Sequence, residues 1–232
     1  RPAREARVGA SVGIAFAEPG VDVDALLRNA DAAMYRAKAE GKGRHAVFDP
    51  ALVAAAAERL ELERDLASAV ARGSLAEGGF ALAYQPVVAL ETGAVAKAEA
   101  LLRWRHPVRG PVSPARFIPL AEASGLVLEL GRWVLEAACR EAAGWPVGPD
   151  GRRIRLAVNV SGRQLLHPAF PGHVAAALAA AGLPADRLTL EITESVLMHD
   201  TEATLAALHA LKALGVSLAV DDFGTGYSSL RY

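Results

Sequence analysis

Between Phe80 and Asp221 short apolar strands alternate with helix-forming stretches, and this alternation restricts the chain to a sheet covered by helices. The expected strands are Phe80–Val88, Val95–Arg103, Arg155–Val160, Leu188–Thr193 and Val216–Asp221. Helices fill the gaps. The clearest runs Thr201–Leu214, with Asp200 as its N-cap, Leu205, Leu208 and Leu211 turned inward, and Gly215 as its stop. Repeated strand-helix units predict a parallel α/β sheet or barrel. A closed α/β barrel takes about 250 residues. Residues 80–232 are fewer, and the expectation is an incomplete barrel.

Strand alternation then sorts the side chains by face. In Leu188–Thr193 the aliphatic set Leu188, Leu190 and Ile192 points one way, and Glu191 with the threonines points the other. The same parity separates Asn159 from Leu156, Val158 and Val160, and Asp221 from Leu218 and Val220. In the preceding strand Lys97, Glu99 and Arg103 share a face. Polar groups at the C-terminal ends of barrel strands face the active-site mouth, so Glu99, Asn159, Glu191 and Asp221 are expected to converge. Two carboxylates about 4 Å apart repel by roughly 4 kcal/mol at an effective dielectric near 20, so such a group calls for a cation or a raised pKa. Hard oxygen donors suit Mg²⁺ or Mn²⁺ rather than zinc. Asp222 follows Asp221, and Phe223-Gly224-Thr225-Gly226 supplies a turn that lets both face the mouth. Adjacent aspartates can serve two metals about 3.5–4 Å apart, an arrangement that activates water against a phosphodiester. Any one of these acids taken alone is more simply a solvated strand end or a cap. Four at matching parity are not.

Other signals carry less. Asp221-Asp222-Phe223-Gly224 lacks the companion motifs of a kinase, and Gly224-Thr225-Gly226 is too short for a dinucleotide fingerprint. The six histidines show neither metal spacing nor a nucleophile partner, and Trp104, Trp133 and Trp145 read as core anchors. With 25 basic and 26 acidic residues interspersed, the chain has no broad basic face for a nucleic-acid polymer. No apolar run reaches the ~18–20 residues of a membrane span, so no membrane contact is expected within this segment. The lone Cys139 sits in an alanine-rich helical stretch, where it is expected to be buried and inert in a reducing compartment. The reading is therefore cytoplasmic for this segment, with room for an anchor upstream.

Residues 1–50 have a different rhythm: a strand over Val8–Phe16, a helix over Val23–Glu40, the basic turn Gly41-Lys42-Gly43-Arg44 and a short strand over His45–Phe48. Fifty residues of this kind are too few for an independent core. A helix follows from Ala51 to about Arg72, with Leu52, Leu62, Leu66 and Val70 near one stripe, and reads as an interdomain connection closed by Gly73 and Gly78-Gly79.

Glu99-Ala100-Leu101-Leu102-Arg103-Trp104 resembles the signature of EAL-type cyclic di-GMP phosphodiesterases, a (β/α) barrel family that uses two divalent metals. Tyr84-Gln85-Pro86, Asn159-Val160-Ser161, Glu191-Ile192-Thr193-Glu194-Ser195 and Asp221 to Gly226 follow in that family's order. The resemblance implies that Glu99, Asn159, Glu191 and Asp221 bind one metal and Asp222 the second, with Glu99, Asp221 and Asp222 carrying catalysis. It implies that Gln85 and Arg103 contact the dinucleotide, and that Glu194 steadies the Asp222–Tyr227 loop, part of a homodimer surface. It also implies that the strand holding Gln85 runs antiparallel to the rest. Ala10 to Ala15 and Ala30 to Lys38 resemble the end of a GGDEF domain, the diguanylate cyclase module, with Lys38 and Lys42 at phosphate-contacting positions.

The resulting expectation is an α/β chain: a GGDEF fragment over 1–50, a helix and linker over 51–79, and the N-terminal part of an EAL-type TIM-like barrel over 80–232. The family's catalytic lysine, a further metal-binding glutamate and the last strands would follow Tyr232, as the naming motif of the first domain would precede Arg1. On that reading the intact protein hydrolyses cyclic di-GMP to linear pGpG with Mg²⁺ or Mn²⁺, and this chain alone does not. A non-catalytic cyclic di-GMP receptor is the alternative, and a dimerising scaffold a third reading that the complete Asp221–Tyr227 loop disfavours.

Overall fold

The computed structural model describes residues 9–17, 20, 22–39, 41–148, 151, 153–197 and 201–221. The chain forms two compact units, Arg1–Glu61 and Leu62–Tyr232. Asp200, Asp222 and the loop to Tyr227 lie outside the described residues.

In the first unit β1 (Val12–Ile14), α1 (Val23–Ala39) and β2 (His45–Val47) form one βαβ crossover, with Val12 opposite His45 and Ile14 opposite Val47 in a parallel pair. The first strand is shorter than its apolar run because β2 offers only three partners, and Ala15 and Phe16 continue unpaired. Gly13 is required by close approach: a Cβ there would run into the backbone of Ala30 and Met34 on α1. Ala33, Ala37 and Ala46 are buried with Phe48 against them, a core of mostly small side chains. The basic turn is real, and Lys42 sits in it at φ 60°, between two glycines that also have positive φ. Asp49 Oδ1 accepts the Ala51 N–H at 2.9 Å, and Pro50 opens α2 (Pro50–Val70), the proline costing nothing where no intrahelical donor is needed.

The second unit begins within α2. Leu62, Leu66, Ala69 and Val70 are its buried stripe, packed with Phe80, Trp104, Val112 and Phe117. Next come β3 (Phe80–Val88) and β4 (Val95–His106), paired antiparallel with Phe80 opposite Trp104 and Gln85 opposite Glu99. Strand-helix alternation alone predicted parallel neighbours. The connection here turns at Gly93, whose N–H donates to Ala89 O at 2.8 Å, and is too short to carry a crossover helix. The antiparallel orientation implied for the Gln85 strand is what the structure has. A further strand, β5 (Gly110–Val112), folds back on the end of β4, where its Pro111 is tolerated at an edge; nothing in the apolar pattern announced it.

The remaining elements are α3 (Pro114–Ser124), α4 (Val127–Ala143), β6 (Arg155–Val160), α5 (Gly162–Leu165), α6 (Phe170–Ala181), β7 (Leu188–Thr193), α7 (Glu194–Leu197), α8 (Thr201–Ala213) and β8 (Ser217–Asp221). The sheet order is β3-β4-β6-β7-β8, parallel from β4 onward. Leu156, Val158, Val160, Leu188, Leu190 and Ile192 form its covered face, against Val134, Leu135 and Ala138 of α4 and Val174 and Leu178 of α6. Arg187, 4 % exposed, is the charged residue inside this layer: its Nη2 donates to Ala142 O at 2.8 Å and Ile154 O at 2.9 Å, closing the carboxyl end of α4. Burial, aided by the neighbouring Arg153 charge, lowers its pKa.

Two residues test this packing. Trp104 is stacked on Phe80 at 5.6 Å, meets Phe117 edge-on at 5.7 Å, and donates from Nε1 to Gly78 O at 3.2 Å. Trp104→Ala is expected to cost about 3–5 kcal/mol in urea unfolding. Cys139 is fully buried on α4, and burial pushes its thiol up to about 12. Its folded pKa exceeds the unfolded value of 9.0, so its contribution is present below that value and is lost as pH climbs toward 12. The native protein should resist thiol reagents at about pH 8, in contrast to the urea-unfolded chain, and Cys139→Ala should flatten the alkaline loss of stability.

Candidate functional site

Register decides which side chains share the face of the sheet opposite the helix layer. Glu99 pairs with Gln85 across the hairpin and with Ala157 on β6; Asn159 pairs with Glu191, and Thr193 with Asp221. Paired residues point the same way, and so do residues two apart on one strand. Gln85, Glu99, Arg103, Asn159, Glu191 and Asp221 therefore lie on one face, opposite the aliphatic layer. That face also carries Ala157, Thr189, Ser217 and Ala219, with Leu101 between Glu99 and Arg103.

The strand ends are held by local chemistry. Ser161, the last residue of the Asn159-Val160-Ser161 motif, is the N-cap of α5 in a capping box: its hydroxyl accepts the Gln164 N–H at 3.3 Å, and Gln164 Oε1 accepts the Ser161 N–H at 3.2 Å. This stops β6 one residue beyond Asn159, at Val160. The Gln164 amide lies so close to α4 that a Cβ at Gly131 would overlap it, which ties the cap to the helix layer.

Two contacts dominate the electrostatics. Asn159 Nδ2 donates to Glu99 Oε1 at 2.6 Å, and Lys97 Nζ meets Glu191 Oε1 at 2.5 Å. Glu191 is the buried member, 8 % exposed; Glu99 is half-buried, whereas Gln85, Arg103, Asn159 and Asp221 are exposed. Arg103 Nη1 donates to Leu102 O at 3.2 Å, leaving an open guanidinium beside a cavity of about 300 Å³. That cavity is lined by apolar residues of β4, α3 and α4, among them Ile118, Leu130 and Val134, and by the polar residues Arg103, Glu122, Asn159, Ser161, Gln164 and Thr193. Glu194 opens α7 directly after β7 and is half-buried.

Among the described residues no three His, Cys, Asp or Glu side chains form a group ready to hold a metal. Glu99 and Glu191 are compensated separately, one by an amide and one by an ammonium. The donor set still fits a hard divalent cation, because every candidate ligand offers oxygen, and rotating the Asn159 amide presents Oδ1 in place of Nδ2. Glu99, Asn159, Glu191 and Asp221 carry the oxygen donors on this face; Asp222 lies outside the described residues. The parity argument had placed Lys97 on the Glu99 face without giving it a partner. The partner comes from a different strand, which no local pattern reveals. His106 is structural, as its spacing suggested: Nδ1 accepts the Arg109 N–H at 3.0 Å and Nε2 lies 3.2 Å from Asp65.

The chain belongs to the EAL domain family, whose model matches residues 63–232. It is 43% identical over 229 residues to the bifunctional diguanylate cyclase/cyclic di-GMP phosphodiesterase MucR of Pseudomonas aeruginosa, a match covering 98% of this chain and 33% of that protein. The cyclic di-GMP phosphodiesterase NbdA of the same organism is 42% identical over 224 residues, covering 96% of this chain and 28% of the relative. The chain thus spans about a third or less of these relatives. Among solved structures, the MucR phosphodiesterase in complex with c-di-GMP superposes with a TM-score of 0.65 at 42% identity, covering 73% of this chain and 66% of that one.

Proposed function

We propose that the protein containing this chain is a cyclic di-GMP phosphodiesterase that opens the cyclic dinucleotide to linear pGpG. The observation that carries this reading is the single face on which β3, β4, β6, β7 and β8 align Gln85, Glu99, Asn159, Glu191 and Asp221. The names of the two Pseudomonas aeruginosa relatives support it, as does the c-di-GMP complex of the structural neighbour.

In this reading Arg103 pairs with a phosphate of the substrate, since its guanidinium is open to solvent at the edge of the cavity. Gln85, across the hairpin from Glu99, offers amide hydrogen bonds to the nucleotide. Two divalent ions, Mg²⁺ or Mn²⁺, would lower the pKa of the attacking water and neutralise charge on the phosphodiester. Glu99, Asn159, Glu191 and Asp221 would hold one ion, and Asp221 with Asp222 would reach the second. Glu99, Asp221 and Asp222 are the proposed catalytic residues, and Glu194 steadies the loop that follows β8.

The same reading extends to architecture. Residues 1–50 are proposed as the C-terminal piece of a GGDEF domain, supported by the βαβ crossover of the first unit and by alignment with MucR over nearly the whole chain. Residues 51–79 join it to an EAL-type (β/α) barrel over 80–232, and the Asp222–Tyr227 loop would contribute to a homodimer.

The test is chromatography of cyclic di-GMP incubated with the full-length protein and Mg²⁺ or Mn²⁺. Linear pGpG is expected; nucleotide retained uncleaved would make the domain a receptor instead. Glu99→Ala in the full-length protein should cut turnover by roughly a hundredfold or more with an unchanged circular dichroism spectrum, and undiminished turnover would remove Glu99 from the metal site.

A further inference from the structure

Among the described candidate ligands Glu191 is the buried one, and its carboxylate is already matched to a cation supplied by the chain. We infer that Lys97 is a resident counter-ion for Glu191, occupying it in the metal-free protein and weakening the affinity with which a divalent cation is taken up. This rests on the reading of Glu191 as a metal ligand.

The geometry is specific to this position. Lys97 is on β4 level with Arg155 of β6, and Glu191 is on β7 level with Asn159 of β6, so the two side chains reach diagonally toward each other over two strand spacings across the sheet and four residues along it. The ammonium can cross β6 because the residue it passes on that face is Ala157, which presents only a methyl group. Side-chain exposure is 27 % for Lys97 and 9 % for Glu191, so the lysine has a route to solvent while the carboxylate has little. The neighbouring cation on that face, Arg155, donates instead to Ser217 Oγ. Glu99 has a neutral partner, the Asn159 amide, which can rotate without moving charge.

Two effects then act in the same direction. A buried carboxylate without a partner is costly, so the lysine stabilises the metal-free state. A divalent cation on the same carboxylate is repelled by an ammonium a few ångströms away and must displace it. Removing the lysine charge relieves the repulsion and also raises the free energy of the metal-free protein. Both changes tighten metal binding. A residue that merely filled space would do the opposite, because a loosened site binds less well.

The experiment is calorimetric titration of Mn²⁺ into the full-length protein and into its Lys97→Met and Lys97→Gln variants, with metal-free thermal unfolding in parallel. Both variants are expected to bind Mn²⁺ about tenfold or more tightly than the original protein and to unfold at lower temperature without metal. Lys97→Arg should retain the original affinity. Equal or weaker binding by both uncharged variants would overturn the role of Lys97 alone. No Mn²⁺ binding to the original protein or to any variant would remove the metal reading of Glu191 and the counter-ion role with it.

Discussion

The parallel register of β4, β6, β7 and β8 is the constraint on which the rest depends. Each strand contributes alternate residues to each face, so a single set of pairings commits the whole sheet at once: aliphatic residues to the helix layer and oxygen-bearing residues to the opposite face. A slip of one residue in β7 would bury Glu191 under α6 and expose Leu188, Leu190 and Ile192. The fully buried aliphatic face, with Leu188 and Leu190 at 0 % exposure, is what forbids that slip. The hydrophobic effect thus positions polar side chains that it does not touch.

Termination matters as much as pairing. A polar residue can serve a site at a strand end only where the strand stops at a defined place. The Ser161–Gln164 capping box does this for β6 by satisfying backbone donors as the chain leaves the sheet. The close contact of Gln164 with Gly131 then couples that stop to α4, so the position of Asn159 is backed by the helix layer as well as by its strand.

Charge in the site is compensated pairwise. Asn159 answers Glu99 with a neutral dipole, and Lys97 answers Glu191 with a full charge. The distinction follows from burial: a half-exposed carboxylate is solvated well enough to accept an amide, whereas a nearly buried one needs a counter-charge.

Much of this protein was legible in its sequence. The strands Phe80–Val88, Arg155–Val160 and Leu188–Thr193 have the bounds read from their alternation, and the shared face of Glu99, Asn159, Glu191 and Asp221 followed from parity, because a side-chain period of two is a local property of extended backbone. The motif order pointed to the EAL family for the same reason, since the motifs sit on these strands. Local pattern could not supply the partner of Lys97, the β5 return onto β4, or the burial of Arg187 against two carbonyls. Each of these joins residues on different elements, and distance through space is set by the packing of the sheet against its helices rather than by spacing along the chain.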